Sequence, residues 1–363
     1  MHRSAPGGRV TRFSDPAAVE LLHGMLRIPS PSFAESELAG HLADAMSGAG
    51  LAARIDGAGN VIGEIRHGPG PTVMLLGHMD TVPGDVPVRM AGDRLYGRGA
   101  VDAKGPLATM ICAAAGSTGF RGRIVVVGVV EEETPMSRGA VGIRRTHEPP
   151  DALVIGEPSG CDTVVLGYKG KIDLRYRVRC EATHPSNVVP KASELATRAW
   201  TELLELLGPE ASHARFDRPG PTLMSIDGGL TSATAEFSIR VPPDFDGEGL
   251  VAALSERSAP GILQVVNTVR ACRVGRNDPV VRALTVAIRA QGGSPRAKVK
   301  TGTSDMNTLA EEWAVPMATY GPGDSSLDHS DQEHIKLSEY LFGIRVLTRA
   351  LAELDGHLTG EGR

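Results

Sequence analysis

Three short apolar runs in this sequence are each followed at once by acidic or histidine residues. The run at 73–76 (VMLL) leads into GHMDTVPG, the run at 124–130 (IVVVGVV) into EEETP, and the run at 152–155 (ALVI) into GEPSG. Apolar runs of this length are typical of strands buried on both faces of a parallel sheet. Ligands of open α/β sheets bind just beyond the carboxyl ends of such strands. We therefore expect these polar side chains to converge on one site.

Each of these residues has an ordinary explanation when it is considered alone. His78 and Asp80 could belong to a polar loop, and Glu157 could be a turn acid. Asp102, in the glycine-rich segment LYGRGAVDAKGP, could cap the helix that follows it. The run 131–133, however, places adjacent carboxylates directly after seven apolar residues, which is costly unless a cation compensates them. Histidine and carboxylates gathered at strand ends favour a two-zinc hydrolase, since zinc takes these ligands and keeps a position for water.

Six motifs, in this order, resemble a family of two-zinc metallopeptidases and deacylases. The family includes acetylornithine deacetylase, succinyl-diaminopimelate desuccinylase and glutamate carboxypeptidase. The motifs are GHMDTVPG, GRGAVDAKGP, the EEE run, GEPSG, KTGTSDMN and GPGDSSLDH. The residues of these motifs, together with the segment LGYKGK, are most similar to those of the lysine and ornithine hydrolases that release the amino acid from an amino-group carrier protein. The resemblance covers nearly the whole chain.

The resemblance implies two zinc ions per subunit and a set of ligands in which Asp102 bridges both ions. The ligands are His78, Asp102 and Glu157 for one ion, and Asp102, Glu133 and His329 for the other. Cobalt could substitute for zinc, because imidazole and carboxylate ligands accept both metals. The resemblance also implies a cis peptide bond between Asp102 and Ala103.

The same resemblance implies the catalytic roles. Glu132 would be the general base, taking a proton from a hydroxide-forming water that bridges the ions and passing it to the departing amine. Asp80 would support His78 in the first site. Many relatives have Asp where this chain has Glu131, followed by a shorter turn to Gly139. Glu132 is therefore preferred as the base and Glu133 as the metal ligand, and the alternative is that both roles are shifted by one residue along the run.

The hydrophobic pattern changes at 169–179, where charged residues at odd positions alternate with apolar ones. Period-two alternation indicates a strand with one solvent-exposed face, and 234–241 follows the same pattern. We therefore predict an α/β catalytic domain formed by 1–169 and 275–363, with a mixed, largely parallel sheet covered by helices. A smaller α+β domain at 170–274 would be inserted into it.

The resemblance makes the smaller domain a lid through which two chains form a homodimer. In ATHPSN it places His184 where relatives carry a histidine that reaches the partner's active site and stabilises the oxyanion; a surface loop histidine is the alternative. Gly302 and Thr303, in KTGTSDMN, and also Arg240 would hold the carboxylate of the substrate.

The strand at 169–179 also suggests a docking surface. Its basic residues are Lys169, Lys171, Arg175, Arg177 and Arg179. A basic face could bind an acidic carrier protein, because complementary charge raises encounter rates. An ordinary solvated strand face is an equally good interpretation.

Composition excludes several other classes of protein. In 363 residues, 38 Lys and Arg against 43 Asp and Glu give a net charge of −5, which offers no electrostatic footprint for nucleic acid. No apolar stretch approaches the ~20 residues of a membrane span. The N-terminal segment shows no apolar stretch of a secretory signal, so we expect a cytoplasmic protein. The four cysteines are widely spaced and form neither a zinc-binding pair nor a disulfide framework.

The sequence thus favours zinc-dependent hydrolysis of the γ-glutamyl amide that joins lysine, ornithine or a related amino acid to an amino-group carrier protein. The same chemistry on a small N-acyl amino acid, or a dipeptidase or carboxypeptidase activity, is the alternative. A non-catalytic binding protein is the alternative from a different class. The presence of every expected ligand and of Glu132 argues against it.

Overall fold

The computed structural model describes residues 13–359, except the side chains of residues 357 and 359. The N-terminal residues 1–12, on which the expected absence of a secretory signal depends, lie outside this part. The helices are α1 (Asp15–Leu26), α2 (Ser36–Gly48), α3 (Lys104–Gly116), α4 (Arg138–Thr146), α5 (Ala192–Leu207), α6 (Gly247–Arg257), α7 (Pro279–Ala290), α8 (Asp305–Ala310) and α9 (Leu337–Thr359). The strands are β1 (Ala52–Ile55), β2 (Val61–Arg66), β3 (Thr72–His78), β4 (Arg89–Ala91), β5 (Arg94–Tyr96), β6 (Arg123–Val129), β7 (Ala152–Gly156), β8 (Thr163–Tyr168), β9 (Gly170–Arg179), β10 (Gly220–Gly228), β11 (Ser232–Val241), β12 (Ile262–Val269), β13 (Cys272–Arg273), β14 (Arg296–Lys300), β15 (Met317–Thr319) and β16 (His334–Lys336).

The chain divides into two compact units, the first of which comprises Met1–Leu166, Val274–Lys298 and Thr308–Arg363. Its main sheet has the order β1-β2-β6-β3-β7-β15-β8. The middle four strands run parallel, and β1, β2 and β8 pair antiparallel at the two sides. This is the mixed, largely parallel sheet of an α/β protein that the sequence predicts. A small sheet, β16-β5-β4, completes the unit.

Helix α3 is the element of the first unit that matters most for the site. All its residues are buried, and it packs against β3, α1 and α9. Small side chains such as those of Ala113, Ala114 and Ala115 allow this close packing, because they keep the helix axis near the sheet. This packing on several sides fixes the start of α3, and with it the position of Asp102, which lies two residues before the helix. Within residues 13–359, no helix has both the length and the apolar content that a membrane span requires.

The second unit comprises Gly167–Arg273 and Val299–Asn307. Its antiparallel sheet has the order β10-β11-β9-β12, and helices α5 and α6 contribute to a core built on alternate residues of β9 and β11. The segment Val299–Asn307, which the sequence predicts within the catalytic domain, belongs to this unit. Asn307 explains its attachment, because its side-chain Nδ2 donates hydrogen bonds to the carbonyl oxygens of Lys169 (3.0 Å) and Arg270 (2.8 Å).

Lys169 does not lie on the exposed basic face that the sequence suggested. Strand β9 begins one residue later, and Lys169 is 0% exposed. Its Nζ donates to the carbonyl oxygens of Ser212 at 3.2 Å and Arg218 at 2.6 Å, so these acceptors compensate the burial of the ammonium group. The prediction for this residue is wrong because an alternating pattern does not reveal where a strand begins.

Candidate metal centre and active site

Three parallel strands of the first unit end side by side and deliver the acidic and histidine residues to one place. The register pairs His78, the last residue of β3, with Val129 at the end of β6. It also pairs Gly77 with Gly156 at the end of β7. The acidic run 131–133 and Glu157 therefore follow directly on either side of His78, as the sequence predicts.

Two groups of potential metal ligands share Asp102. In the first group, His78 Nε2 lies 3.1 Å from Asp102 Oδ1 and 3.7 Å from Glu157 Oε1. In the second, His329 Nε2 lies 3.1 Å from Asp102 Oδ2 and 3.0 Å from Glu133 Oε1. The ligand atoms of each group lie within 4.8 Å of one another. The two oxygens of Asp102 thus face two different imidazoles, which is the arrangement a bridging carboxylate needs.

Asp102 stands at the end of the glycine-rich segment that leads into α3. The Asp102–Ala103 peptide bond is cis, as the resemblance implied. The residue that caps α3 is Ala103, and it makes no side-chain capping bond. Asp102 is therefore not the helix cap that it could have been from the sequence, and both its oxygens remain directed at histidines.

His78 has its ring orientation fixed by the main chain. Its Nδ1 lies 2.9 Å from the carbonyl oxygen of Asp80, which can only accept a hydrogen bond. When the ring is neutral, as a metal ligand must be, its proton is therefore on Nδ1, and Nε2, on the side of Asp102 and Glu157, is left to bind the ion. Histidines that bind metals are typically oriented in this way by a bond from the other ring nitrogen.

The side chain of Asp80 organises the turn that carries the general-base candidate. Its Oδ1 accepts from the amide of Glu132 at 2.9 Å, and its Oδ2 from the amide of Glu133 at 3.0 Å. Ser32 Oγ donates to the same Oδ2 at 2.8 Å. The closest contact of His78 is with the main chain of Asp80, whereas the carboxylate lies 3.5 Å from Nδ1. Asp80 thus supports Glu132 and Glu133 at least as directly as it supports His78.

Glu131 points away from both ligand groups. It is 6% exposed, its carboxylate pairs with Arg138 Nη2 at 2.6 Å, and its amide donates to Glu35 Oε1 at 3.1 Å. With Glu131 engaged in this way, Glu133 is the residue of the run that meets His329. The geometry therefore favours the unshifted assignment of Glu132 and Glu133. Sequence reasoning missed Glu35 and Ser32, because neither stands in a strand-end motif.

Backbone strain is concentrated around this site. Phe33, Glu131 and His329 have φ values of 75°, 59° and 60°, a region that L side chains other than Asn, Asp and His rarely adopt. Strained residues persist only where the surrounding structure fixes them, and they cluster at functional sites. Here His329 belongs to a ligand group, Glu131 begins the run that contains Glu133, and Phe33 follows Ser32, which bonds Asp80.

The charges of the site create an environment for cations. Burial lowers the pKa of His78, but hydrogen bonds to Asp102 and Asp80 outweigh it and raise the pKa well above 6.5. The hydrogen bonds from Asp102 and Glu133 likewise raise the pKa of His329 to about 10. Burial by itself would raise the pKa of Asp102, yet its two histidine neighbours hold it well below the usual value. Carboxylates outnumber imidazoles here, so added positive charge is stabilised.

The remaining residues singled out in the sequence lie in the second unit. Arg240 Nη1 donates to Thr303 Oγ1 at 2.9 Å, so two of the residues expected to contact substrate are in contact with each other. Gly302 precedes this threonine and has no neighbouring atom within 4 Å of where a Cβ would stand. His184 is exposed, with its Nδ1 2.7 Å from Ser186 Oγ.

Comparison with known proteins identifies relatives over almost the full length of the chain. The family model described as peptidase family M20/M25/M40 matches residues 74–353. A protein from Deinococcus radiodurans named [LysW]-lysine hydrolase is 42% identical over 94% of this chain and 98% of its own. A protein from Thermococcus kodakarensis, named putative [LysW]-lysine/[LysW]-ornithine hydrolase, is 39% identical over 93% of this chain and 92% of its own.

Solved structures show the same fold at low sequence identity. An M20-family metallo-carboxypeptidase from Sulfolobus solfataricus superimposes with a TM-score of 0.79 at 18% identity, over 93% of this chain and 99% of that one. A Bacillus subtilis protein, described as a dinuclear metal-binding peptidase of the M20 family, gives a TM-score of 0.69 at 11% identity, over 93% and 97% of the two chains. From the family match and the identity to these relatives, the chain belongs to the M20/M25/M40 family of peptidases.

Proposed function

We propose that this protein is a two-metal amide hydrolase that releases lysine, ornithine or a related amino acid from the γ-glutamyl amide of an amino-group carrier protein. The observation that carries the reaction is the pair of ligand groups sharing Asp102. The names of the relatives at 42% and 39% identity support the substrate, and LysW in those names is the candidate carrier. The expected cytoplasmic location stays a prediction.

The donor set suits two divalent ions. His78, Asp102 and Glu157 would hold one ion, and Asp102, Glu133 and His329 the other. Imidazole nitrogen and carboxylate oxygen are ligands of zinc, and they accept cobalt as well. Ions bound in this way polarise an amide carbonyl and lower the pKa of a water molecule. The chain itself keeps the ligands in place through the bonds that hold His78 and the turn of Glu133.

Glu132 is the residue that we propose as the general base. Its amide is held by Asp80, and its carboxylate lies close enough to His78 to raise the pKa of that ring. In this role the carboxylate takes a proton from the water that attacks the amide and then donates it to the leaving amine. A single carboxylate serves both steps, because it becomes the acid once it has accepted the proton.

The second unit supplies the groups that we propose for recognition of the substrate carboxylate. Arg240 offers a fixed positive charge, and its bond to Thr303 holds it in one orientation. Gly302 leaves room for a bound group beside them. For His184, exposure is compatible with the proposed contact to a partner subunit in a homodimer formed through this unit.

Docking of the acidic carrier is proposed for a smaller basic surface than the sequence suggested. Lys171 pairs with Asp173 at 3.0 Å, and Arg175 pairs with Glu236 at 2.8 Å, so acidic partners already compensate these two charges. Beyond them on β9, Arg177 and Arg179 are exposed. These two arginines are therefore the proposed contacts for the carrier.

The experiment that tests the function measures amine release by the zinc-loaded protein. A carrier protein ending in γ-glutamyl-lysine or γ-glutamyl-ornithine is compared with Nα-acetyl-lysine and Nα-acetyl-ornithine. We expect rapid release from the carrier, and loss of that release in Glu132→Gln. Preference for the acetylated amino acids would contradict the proposed substrate, and release that survives Glu132→Gln would contradict the proposed base.

The docking surface has its own test. Replacing Arg177 and Arg179 by Glu should raise KM for the carrier-linked substrate at least tenfold at low salt, while hydrolysis of a small amide changes little. Replacing Arg282 and Arg289, two exposed arginines of α7 in the first unit, by Glu is the matched control for the change in net charge. Equal effects of the two charge reversals on KM would contradict docking at β9.

A further inference from the structure

Beside the candidate metal centre, an ion pair between a buried carboxylate and a largely buried guanidinium joins the segment that carries Asp102 to the segment that carries His329. We propose that this pair, Glu333 and Arg98, positions both ligands for metal binding. The inference rests on the metal site of the proposed function. Neither residue would touch a metal ion or the substrate, so both are positioning residues.

Glu333 holds the backbone of the Asp102 segment. It is 1% exposed, and its Oε1 accepts hydrogen bonds from the amide of Val101 at 2.9 Å and from the amide of Asp102 at 3.1 Å. Its main-chain carbonyl accepts a further bond from the amide of Gly97 at 3.3 Å. The bridging residue is thus bonded through its own amide to a side chain more than two hundred positions away.

Arg98 connects the same carboxylate to the His329 segment. Its Nη1 donates to Glu333 Oε2 at 2.9 Å and to the carbonyl oxygen of Ser330 at 3.1 Å. Ser330 directly follows His329, whose backbone lies in the left-handed region with a φ of 60°. Arg98 Nε also donates to the carbonyl oxygen of Gly84 at 3.2 Å, and this bond fixes the plane of the guanidinium group. The ion pair therefore contacts the backbone of Asp102 through Glu333, and the residue after His329 through Arg98.

The chemistry of this pair fits positioning better than stabilisation of the fold. A buried ion pair seldom adds net stability, because removing two charges from water costs about as much as their attraction gains. A carboxylate, however, can accept from two neighbouring amides and a guanidinium at once, which no apolar replacement and no single amide can do. Residues that orient metal ligands typically change metal affinity about 10–100-fold when they are replaced.

The test is the zinc affinity of the purified apo-protein, measured by competition with a chromophoric chelator. Glu333→Gln retains the shape but turns one acceptor into a donor, so either the two amides or Arg98 loses its partner. We expect binding of both ions to weaken about 10–100-fold, since Asp102 serves both. Arg98→Lys keeps the charge but loses the fork that reaches Glu333 and Ser330 together, and it should show a smaller loss. Should Glu333→Gln fail to fold, Arg98→Lys carries the test.

Glu64→Gln is the matched control. Glu64 forms a two-point ion pair with Arg123 in the same unit, at 2.8 and 3.0 Å, and contacts neither ligand segment. Its zinc affinity should equal that of the wild type. The thermal midpoints of apo- and zinc-loaded protein give the second readout, because loss of positioning reduces the rise in Tm that zinc produces.

The outcomes separate the inference from the proposed function. Unchanged zinc affinity in both Glu333→Gln and Arg98→Lys, or equal loss of Tm with and without zinc, would overturn the positioning role. Failure of the wild-type protein to bind two zinc ions would instead overturn the proposed metal site, and with it this inference. Weakened binding in the two variants, with normal binding in Glu64→Gln, would establish it.

Discussion

Replacing Asp80 by Asn tests whether one buried carboxylate sets the position of the general-base candidate. The carboxylate accepts three hydrogen bonds, from the amides of Glu132 and Glu133 and from Ser32. Asn offers a single acceptor oxygen. When that oxygen replaces Oδ2, the amide group replaces Oδ1 and faces the Glu132 amide, donor against donor. The bond between His78 and the main chain of residue 80 is retained.

The magnitude follows from the bond that is lost. A hydrogen bond to a charged group contributes about 1.5–3 kcal/mol, so the free energy of unfolding of Asp80→Asn should fall by about 2–3 kcal/mol. Displacement of a catalytic group by about 1 Å costs on the order of 100-fold in rate. We therefore expect kcat to fall by about that factor while KM changes little. Urea unfolding of the apo-protein and amine release by the zinc-loaded protein measure the two effects.

Ser32→Ala is the matched control for Asp80→Asn. It removes one hydrogen bond to the same carboxylate but leaves both amide bonds in place, so about 1.5 kcal/mol of stability should be lost with little change in kcat. If the two variants lowered kcat equally, or if Asp80→Asn retained wild-type kcat, the proposed link from Asp80 to Glu132 would be wrong.

Three further predictions concern the metal site, the cap of α7 and the core of the second unit. Asp102→Asn should reduce the zinc content of the purified protein from two ions to fewer than one, whereas Glu157→Gln should lose only one ion. Metal analysis of the dialysed proteins measures this, and equal zinc contents in the two variants would contradict a bridging role for Asp102. Asp278→Ala should lower the free energy of unfolding by about 1–2 kcal/mol, because Asp278 caps α7 by accepting from the amide of Val280 at 2.8 Å; an unchanged urea midpoint would refute this. Phe237→Ala, at a side chain 1% exposed in the core of the second unit, should cost about 3–5 kcal/mol in the same assay, and a loss below 1 kcal/mol would show that the core rearranges freely.

Much of the first unit could be predicted from its strands. The apolar runs at 73–76, 124–130 and 152–155 correspond to β3, β6 and β7 within two residues at each end. Strands buried on both faces leave this signature, since every side chain must be apolar. Strands β4, β5 and β16 were not predicted, because each has only three residues and no periodicity can be read from so short a segment.

The second unit was predicted less completely. The alternation at 234–241 identified most of β11, because one face of that strand is buried in the core and the other is only half-buried. Strand β10 has no such pattern. Its residues are exposed on both faces from Thr222 onwards, so no buried face imposes an alternation of apolar and polar side chains.

The sequence by itself determined the residue types that could bind metal and the strand ends on which most of them stand. Those features are local, since a buried strand and the acid that follows it are read from a dozen consecutive letters. The tertiary structure alone decided which carboxylate meets which imidazole. His329 approaches Glu133 across 196 positions of sequence, Glu131 turns away to Arg138, and Asp80 bonds the turn of Glu132. The burial of Lys169 and the ion pair between Glu333 and Arg98 were likewise decided by the tertiary structure. Such contacts depend on how distant segments pack, and no pattern within one segment encodes them.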